Sequence, residues 1–167
     1  MTVANSLTQE RLKELLSYDP ETGVFTWLTK RGKGEAGAIA GSPHNMGYVR
    51  IGIGGKAYLA HRLAWLYVHG HMPSEIDHRN RIGTDNRISN LRPATHIQNT
   101  FNKKTGTKNT SGVQGVSWIC RAKMWRVRIT AQKTTIYLGY YRNIFDAACA
   151  RKSAELRHFG EFAPTAS

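Results

Sequence analysis

Near the start of the chain apolar residues recur at three- and four-residue spacing. Leu12, Leu15 and Leu16 follow Thr8, a residue type that caps helices, so the spacing predicts an amphipathic helix. Asp19, Pro20 and Gly23 then break the pattern with a turn, since proline fixes φ and glycine tolerates positive φ. Residues 24–28 have the composition of a strand, and a basic, glycine-rich loop follows over residues 30–41. Residues 48–53 alternate at period two, Gly54-Gly55 forms a tight turn and residues 56–60 return, which is the pattern of a hairpin. Residues 62–69, with Leu63, Trp65, Leu66 and Val68, predict a short buried helix ended by Gly70.

The second half alternates differently. A short strand over residues 75–78 leads into a polar loop rich in Arg and Asn, a second strand over residues 90–94, and a helix over about 95–102. That order is a ββα unit. Residues 103–111 contain no apolar side chain and predict a linker. Three alternating stretches follow, over residues 115–119, 125–130 and 134–140, and then a helix over 146–159. Ala147, Ala148, Ala150 and Ala154 are small enough to let that helix lie close on a sheet. The pattern predicts an α+β chain: an N-terminal module over residues 1–102 with a ββα core at about 75–102, a linker over 103–111, and a C-terminal module over 112–167. The C-terminal module is expected to be a three-stranded antiparallel sheet packed on one helix.

Composition narrows the function. With 40% apolar residues in a chain of 167, there is enough to build one generous core or two small ones. No apolar run approaches the ~18–20 residues of a membrane helix, and the first residues lack the pattern of a signal peptide. Two cysteines, Cys120 and Cys149, cannot make a disulfide framework or a four-cysteine zinc site. The expectation is a soluble, cytoplasmic protein without membrane partners. Lys and Arg total 24 against 11 Asp and Glu, a formal net charge of +13. The excess is uneven: +2 over residues 1–75, +5 over 76–110 and +6 over 111–167. Charge of this sign and distribution points to a polyanion, and the placement suits a phosphate backbone along the last 92 residues.

One cluster carries chemistry. Asp77 and His78 are adjacent on a predicted strand, Asn90 follows His78 by 12 residues and Asn99 follows Asp77 by 22. A carboxylate and an amide oxygen are hard ligands suited to magnesium, which retains waters and takes substrate phosphate oxygens for the remainder. A neutral imidazole beside such a metal can accept a proton from attacking water. Together these suffice for phosphodiester hydrolysis. Each residue also has a plainer reading: an Asp-His pair is commonly a surface turn, and asparagines commonly supply turns and caps. His61, His69, His71 and His96 show no metal-ligand spacing and are expected to be structural or solvent-facing.

Asp77-His78-Arg79-Asn80, Thr84-Asp85-Asn86-Arg87, Ser89-Asn90-Leu91-Arg92 and Gln98-Asn99 with Asn102 resemble the HNH nucleases of phages, in particular the homing endonucleases whose last motif residue is Asn. The resemblance extends upstream through Tyr18-Asp19-Pro20-Glu21-Thr22-Gly23, Gly47-Tyr48 and Ala60-His61-Arg62-Leu63-Ala64-Trp65. It implies that His78 is the general base, that Asp77 and Asn99 hold one divalent metal (Mg, with Mn an alternative), and that Asn90 organises the loop at the catalytic site. It implies no structural zinc. Arg79 and Arg81 make the loop more basic than expected of the family, which adds phosphate contacts.

In the C-terminal module Trp125, Val127, Ile129, Ile136 and Leu138 share one parity and are expected to face the helix, with Arg126, Arg128, Thr130, Thr135 and Tyr137 outward. A basic outer face is what a β-sheet reader of the major groove presents, although most small sheets have a solvated face of some kind. Ser111-Gly112-Val113-Gln114-Gly115-Val116-Ser117-Trp118, Trp125-Arg126-Val127, Tyr137-Leu138-Gly139-Tyr140-Tyr141 and Gly160-Glu161-Phe162-Ala163 resemble the ethylene-response-factor DNA-binding domain of plants, which also occurs fused to phage HNH nucleases. The resemblance implies DNA recognition from the sheet. Gln114 and Ser117 stand where plant members carry Arg, so plant base preferences do not transfer, and Cys149 replaces a helix Tyr.

The expectation is a metal-dependent endonuclease acting on double-stranded DNA at a site positioned by the C-terminal module, with a homing or mobile-element role implied by the family. Candidate DNA contacts are Arg79, Arg81, Arg87 and Arg92 in the first module and Trp118, Arg121, Lys123, Arg126, Arg128 and Tyr137 in the second. The main rival is a sequence-specific DNA-binding protein with an inactive nuclease half. An RNA-binding protein is a third reading, with no single-strand stacking motif to support it. Oligomeric state and target sequence are not written in the chain.

Overall fold

A computed structural model describes residues 7–30, 35–102 and 109–164. The chain is a mixture of helices and several small antiparallel sheets, and it forms two compact units divided between Thr95 and His96.

The first unit begins with α1 (Gln9–Leu15), capped by the Thr8 hydroxyl, which accepts from the Arg11 N–H. Leu16 does not extend that helix: it opens β1 (Leu16–Tyr18), which pairs antiparallel with β2 (Phe25–Trp27). Leu16 is fully buried from the strand, so its burial satisfied the helical spacing without a helical backbone. Gly23, at φ +73°, closes this hairpin. A second sheet holds β3 (Ser42–His44), β4 (Tyr48–Ile53) and β5 (Lys56–Leu59) in that order. Alternation revealed the β4–β5 hairpin; the short β3, half of it solvent-facing around Pro43, left no such pattern. Next comes α2 (Ala60–His69), ended by Gly70 in the left-handed region at φ +73°. Leu12, Leu16, Phe25, Ile51 and Leu63 are at most 2% exposed and centre one core. Each such side chain contributes about 1.5–3 kcal/mol on burial. On this frame rest β6 (Glu75–His78) and β7 (Leu91–Ala94), paired in the register Asp77 opposite Arg92 and His78 opposite Leu91.

The second unit opens with α3 (His96–Phe101). This boundary falls ahead of the helix that sequence grouped with the first module. Phe101 stacks flat on Phe159, with ring centroids 3.9 Å apart. Residues 103–108 of the expected linker lie outside the described residues; Asn109 and Ser111 bond to the carbonyl of Val113, and Ser111 also to that of Val116. The sheet of β8 (Val116–Ile119), β9 (Met124–Ala131) and β10 (Thr134–Tyr141) has β9 in the centre and carries α4 (Ile144–Phe159) on one face. The helix starts two residues earlier than its apolar pattern predicted, because Asn143 caps it by accepting from the Asp146 N–H. Ala147 and Ala154 let α4 approach the sheet closely. Arg151 is buried beside them, donating to Glu155 at 2.8 Å and to the Arg128 carbonyl at 2.6 Å.

Candidate active site

The site in the first unit is built around His78, at the end of β6. Its imidazole is 6% exposed. Asn86 fixes its tautomer. The Asn86 Nδ2 donates to the Thr84 carbonyl at 3.2 Å, which turns the amide oxygen toward His78 Nε2, 3.4 Å away. An amide oxygen only accepts, so Nε2 carries the proton and Nδ1 keeps its lone pair. Burial pushes the His78 pKa below the ordinary imidazole range, partly offset by the Asn86 hydrogen bond and the charges of Asp77 and Asp85. The ring is therefore neutral at neutral pH and able to accept a proton.

Asn86, which sequence did not single out, is held from a distance. Tyr18 on β1 donates its hydroxyl to the Asn86 carbonyl at 2.7 Å. The turn at Gly23 lies against the same backbone, where a Cβ would come within 2.5 Å of the Arg87 nitrogen. The Ile88 N–H donates to the Pro20 carbonyl. Burial and nearby carboxylates push the Tyr18 pKa up, so the phenol stays protonated and keeps donating. The β1–β2 hairpin is thus a buttress for the residue that orients the imidazole.

The loop between β6 and β7 is cross-tied by Asn90. Its Oδ1 accepts from the Asn80 N–H, and its Nδ2 donates to Asn80 Oδ1 and to the Asp85 carbonyl. The side chain is spent on loop geometry. Asn80 also donates to Asp85 at 2.6 Å, and Arg87 donates to both oxygens of the same carboxylate. Those bonds, Arg87 first, hold the Asp85 carboxyl down at about 2. Gly83 belongs where it is because a Cβ would meet the Gly47 carbonyl at 2.5 Å and the Tyr48 ring at 2.8 Å.

Asp77 is 5% exposed, with Arg92 as its partner across the ladder. Arg92 donates to Asp77 Oδ2 from Nε at 2.8 Å and from Nη2 at 2.6 Å. Arg92 is itself only 4% exposed, so it is a buried counter-ion and not the surface cation that its place in a basic stretch implied. Arg79 is exposed, Arg81 half-buried in the left-handed region at φ 62°, and Arg87 exposed while bound to Asp85. His61, expected to be structural or solvent-facing, is 6% exposed and stands against the His78 ring; His69, His71 and His96 are exposed. Asn99 lies on α3 in the second unit, partly exposed.

The second unit presents a separate face. Register places Ser117, Arg126 and Tyr140 in one cross-strand row and Arg128 beside Tyr137 in the next. Tyr137 and Tyr140 are 66% and 53% exposed. A bulge between Tyr137 and Gly139, where Gly139 takes φ +119°, adds a residue and turns Tyr140 outward, against the parity of Ile136 and Leu138. Trp118 pairs with Trp125 and shares the face of Val116 and Val127, so it lies on the α4 side of the sheet, opposite Arg126. Arg121 and Lys123 are exposed in the β8–β9 turn.

Among the described residues no group of three or more His, Cys, Asp or Glu side chains is placed to hold a metal, and no helix is long and apolar enough to cross a membrane. Residues 58–100 match the HNH endonuclease family. The chain is 37% identical over 79 residues to Protein 3.8 of Escherichia phage T7; the match takes in 46% of this chain and 65% of that protein's length. No solved structure matches. The chain thus contains an HNH endonuclease domain at residues 58–100, from β5 through most of α3, and has a homologue in a phage.

Proposed function

We propose that this chain is a metal-dependent DNA endonuclease with His78 as general base. The observation that carries the reading is the His78 imidazole itself: buried, with burial lowering its pKa, turned by Asn86 so that Nε2 carries the proton, and next to a buried carboxylate. In the cleavage step Nδ1 takes a proton from water, the resulting hydroxide attacks phosphorus, and the bond to the leaving oxygen breaks. Asn86 keeps Nε2–H in place throughout, and Asn90 acts through the loop it ties. Asp77, paired with Arg92, and Asn99, by its place in the motif, are the proposed ligands of one magnesium or manganese ion. Two hard oxygen donors fit such an ion, which would draw its remaining ligands from water and substrate phosphate. When bound, the metal stabilises the charge on the leaving oxygen.

The C-terminal sheet is the proposed reader of double-stranded DNA, through Arg126, Arg128, Tyr137 and Tyr140, with Arg121 and Lys123 on phosphates. Its resemblance to the ethylene-response-factor domain supports this, as does the charge concentrated after residue 75. A homing or mobile-element role in a host cytoplasm is proposed on the resemblance to phage HNH nucleases alone. One observation favours the rival, a DNA-binding protein with an inactive nuclease half: Arg92 occupies one oxygen of Asp77. Plasmid nicking with magnesium or manganese, with and without EDTA, separates the two. Chelator-sensitive nicking is expected; binding with no cleavage under either metal would establish the rival.

A further inference from the structure

The His78 ring has a second neighbour that the cleavage chemistry leaves without a task. His61, in the first turn of α2, stands edge-to-face against it, with ring centroids 4.9 Å apart and an interplanar angle of 82°. Tyr48 on β4 closes the group, 5.3 Å from His61 and 5.9 Å from His78 by ring centroids. Gly83 in turn lets the β6–β7 loop press on the Tyr48 ring. Three elements of the first unit therefore converge on one imidazole.

A core aromatic would fill this position without cost. Histidine does not: its Nδ1 is buried with no hydrogen-bond partner among the described residues, a condition that lowers the stability of a fold. Sequences keep such costs where a site needs them. An imidazole edge is also more polar than a benzene edge, so it specifies the tilt of the ring it meets more tightly. We infer that His61 is a positioning residue for His78, and that its buried ring, backed by Tyr48, holds the imidazole in the orientation in which Asn86 sets the tautomer that cleavage uses. The inference rests on His78 being the base, as proposed above.

The test uses the full chain with His61→Phe, which keeps an aromatic ring, and His61→Leu, which keeps apolar volume only. Three quantities are read: thermal stability, kcat and KM for magnesium-dependent plasmid nicking, and the nitrogen NMR signature of the His78 tautomer. Both variants should be at least as stable as the parent near neutral pH, since the unpartnered nitrogen is gone. With KM for DNA unchanged, kcat should fall by about 10–100-fold, the scale of a misplaced catalytic group. The Nε2–H signature of His78 should give way to mixed tautomers. Folded variants with parental kcat and an unchanged signature would overturn the inference, and so would loss of fold in both, which would make His61 a core residue alone. If the parent chain itself fails to nick DNA, the proposed function fails, while the tautomer signature still decides whether His61 positions His78.

Discussion

Arg92 reaches Oδ2 of Asp77 with two guanidinium nitrogens, from the position directly opposite it in the β6–β7 ladder. The two side chains are 5% and 6% exposed. Removing one partner of such a pair leaves the other charge buried and uncompensated, which typically costs about 3–5 kcal/mol. Arg92→Met should therefore lower the unfolding free energy by about that much in urea titrations. Arg92→Lys keeps the charge but not the fork and should fall between the two. A loss below about 1 kcal/mol for Arg92→Met would show that the pair is open to water.

Asp77 and His78 are neighbours in sequence but serve different partners, and their variants should separate accordingly. His78→Ala should cut kcat by ~10²–10⁴ with DNA affinity near that of the parent. Asp77→Asn should abolish cleavage and also weaken magnesium binding by calorimetry with DNA present. Undiminished nicking by His78→Ala would remove it as the base. Unchanged metal binding in Asp77→Asn would remove Asp77 as a ligand.

The Tyr18 hydroxyl is the remote support of the same imidazole. Tyr18→Phe leaves the buried Asn86 carbonyl without this donor and should cost ~1–3 kcal/mol. Because Asn86 orients His78, kcat should fall while KM for DNA holds. A variant that loses stability but keeps parental kcat at a temperature where it is folded would show that the hairpin supports the fold and not the base.

How much of this was legible in the sequence follows from the range of each contact. The β4–β5 hairpin, α2 and the three strands of the second unit are written as local alternation, and the Asp77-His78 cluster as a motif. Tyr18 and Asn86 are 68 positions apart, and nothing local in either segment announces their bond. Arg92 has the alternation of an outward-facing strand residue, and only a carboxylate across the ladder shows why it is buried. Tyr140 has the parity of Ile136 and Leu138 yet faces outward, because a bulge shifts the count by one residue, and its local trace is Gly139. His61 stands in a stretch that resembles the family, but nothing there gave it a task, since edge-to-face packing on another histidine has no spacing rule.

Acid should destabilise the chain through His61. Burial, then the neighbouring His78 and Arg62, take its pKa down from the ordinary 6.5 to about 3. The unfolded chain therefore binds a proton below about pH 6.5 that the folded chain refuses, and the loss grows by about 1.4 kcal/mol per pH unit until the folded group titrates. Above that range the group contributes nothing. His78 acts in the same direction. Urea unfolding between about pH 6 and about pH 4 should show this slope, and His61→Phe should flatten it by close to one proton. An unaltered slope in that variant would mean that His61 is protonated in the folded protein.

The last prediction concerns the sheet of the second unit. Arg126 lies on the central strand between Ser117 and Tyr140, half-buried, with its Nε buried and without a partner among the described residues. Arg128, one row along, is exposed beside Tyr137. A guanidinium held by its stem in mid-sheet has little freedom and presents its fork outward, as base recognition needs. A freely exposed one suits a phosphate. Arg126→Ala should accordingly cost ~1–3 kcal/mol on the preferred sequence and relax preference at one position. Arg128→Ala should weaken all sequences alike and lower the salt slope by about one. Tyr140→Ala should weaken binding too, because the bulge turns that ring onto the same face. Titrations over a panel of duplexes at several salt concentrations distinguish these outcomes. If Arg126→Ala weakened every duplex equally, Arg126 would be a phosphate contact, and sequence preference would have to come from Ser117, from the tyrosines or from the first unit.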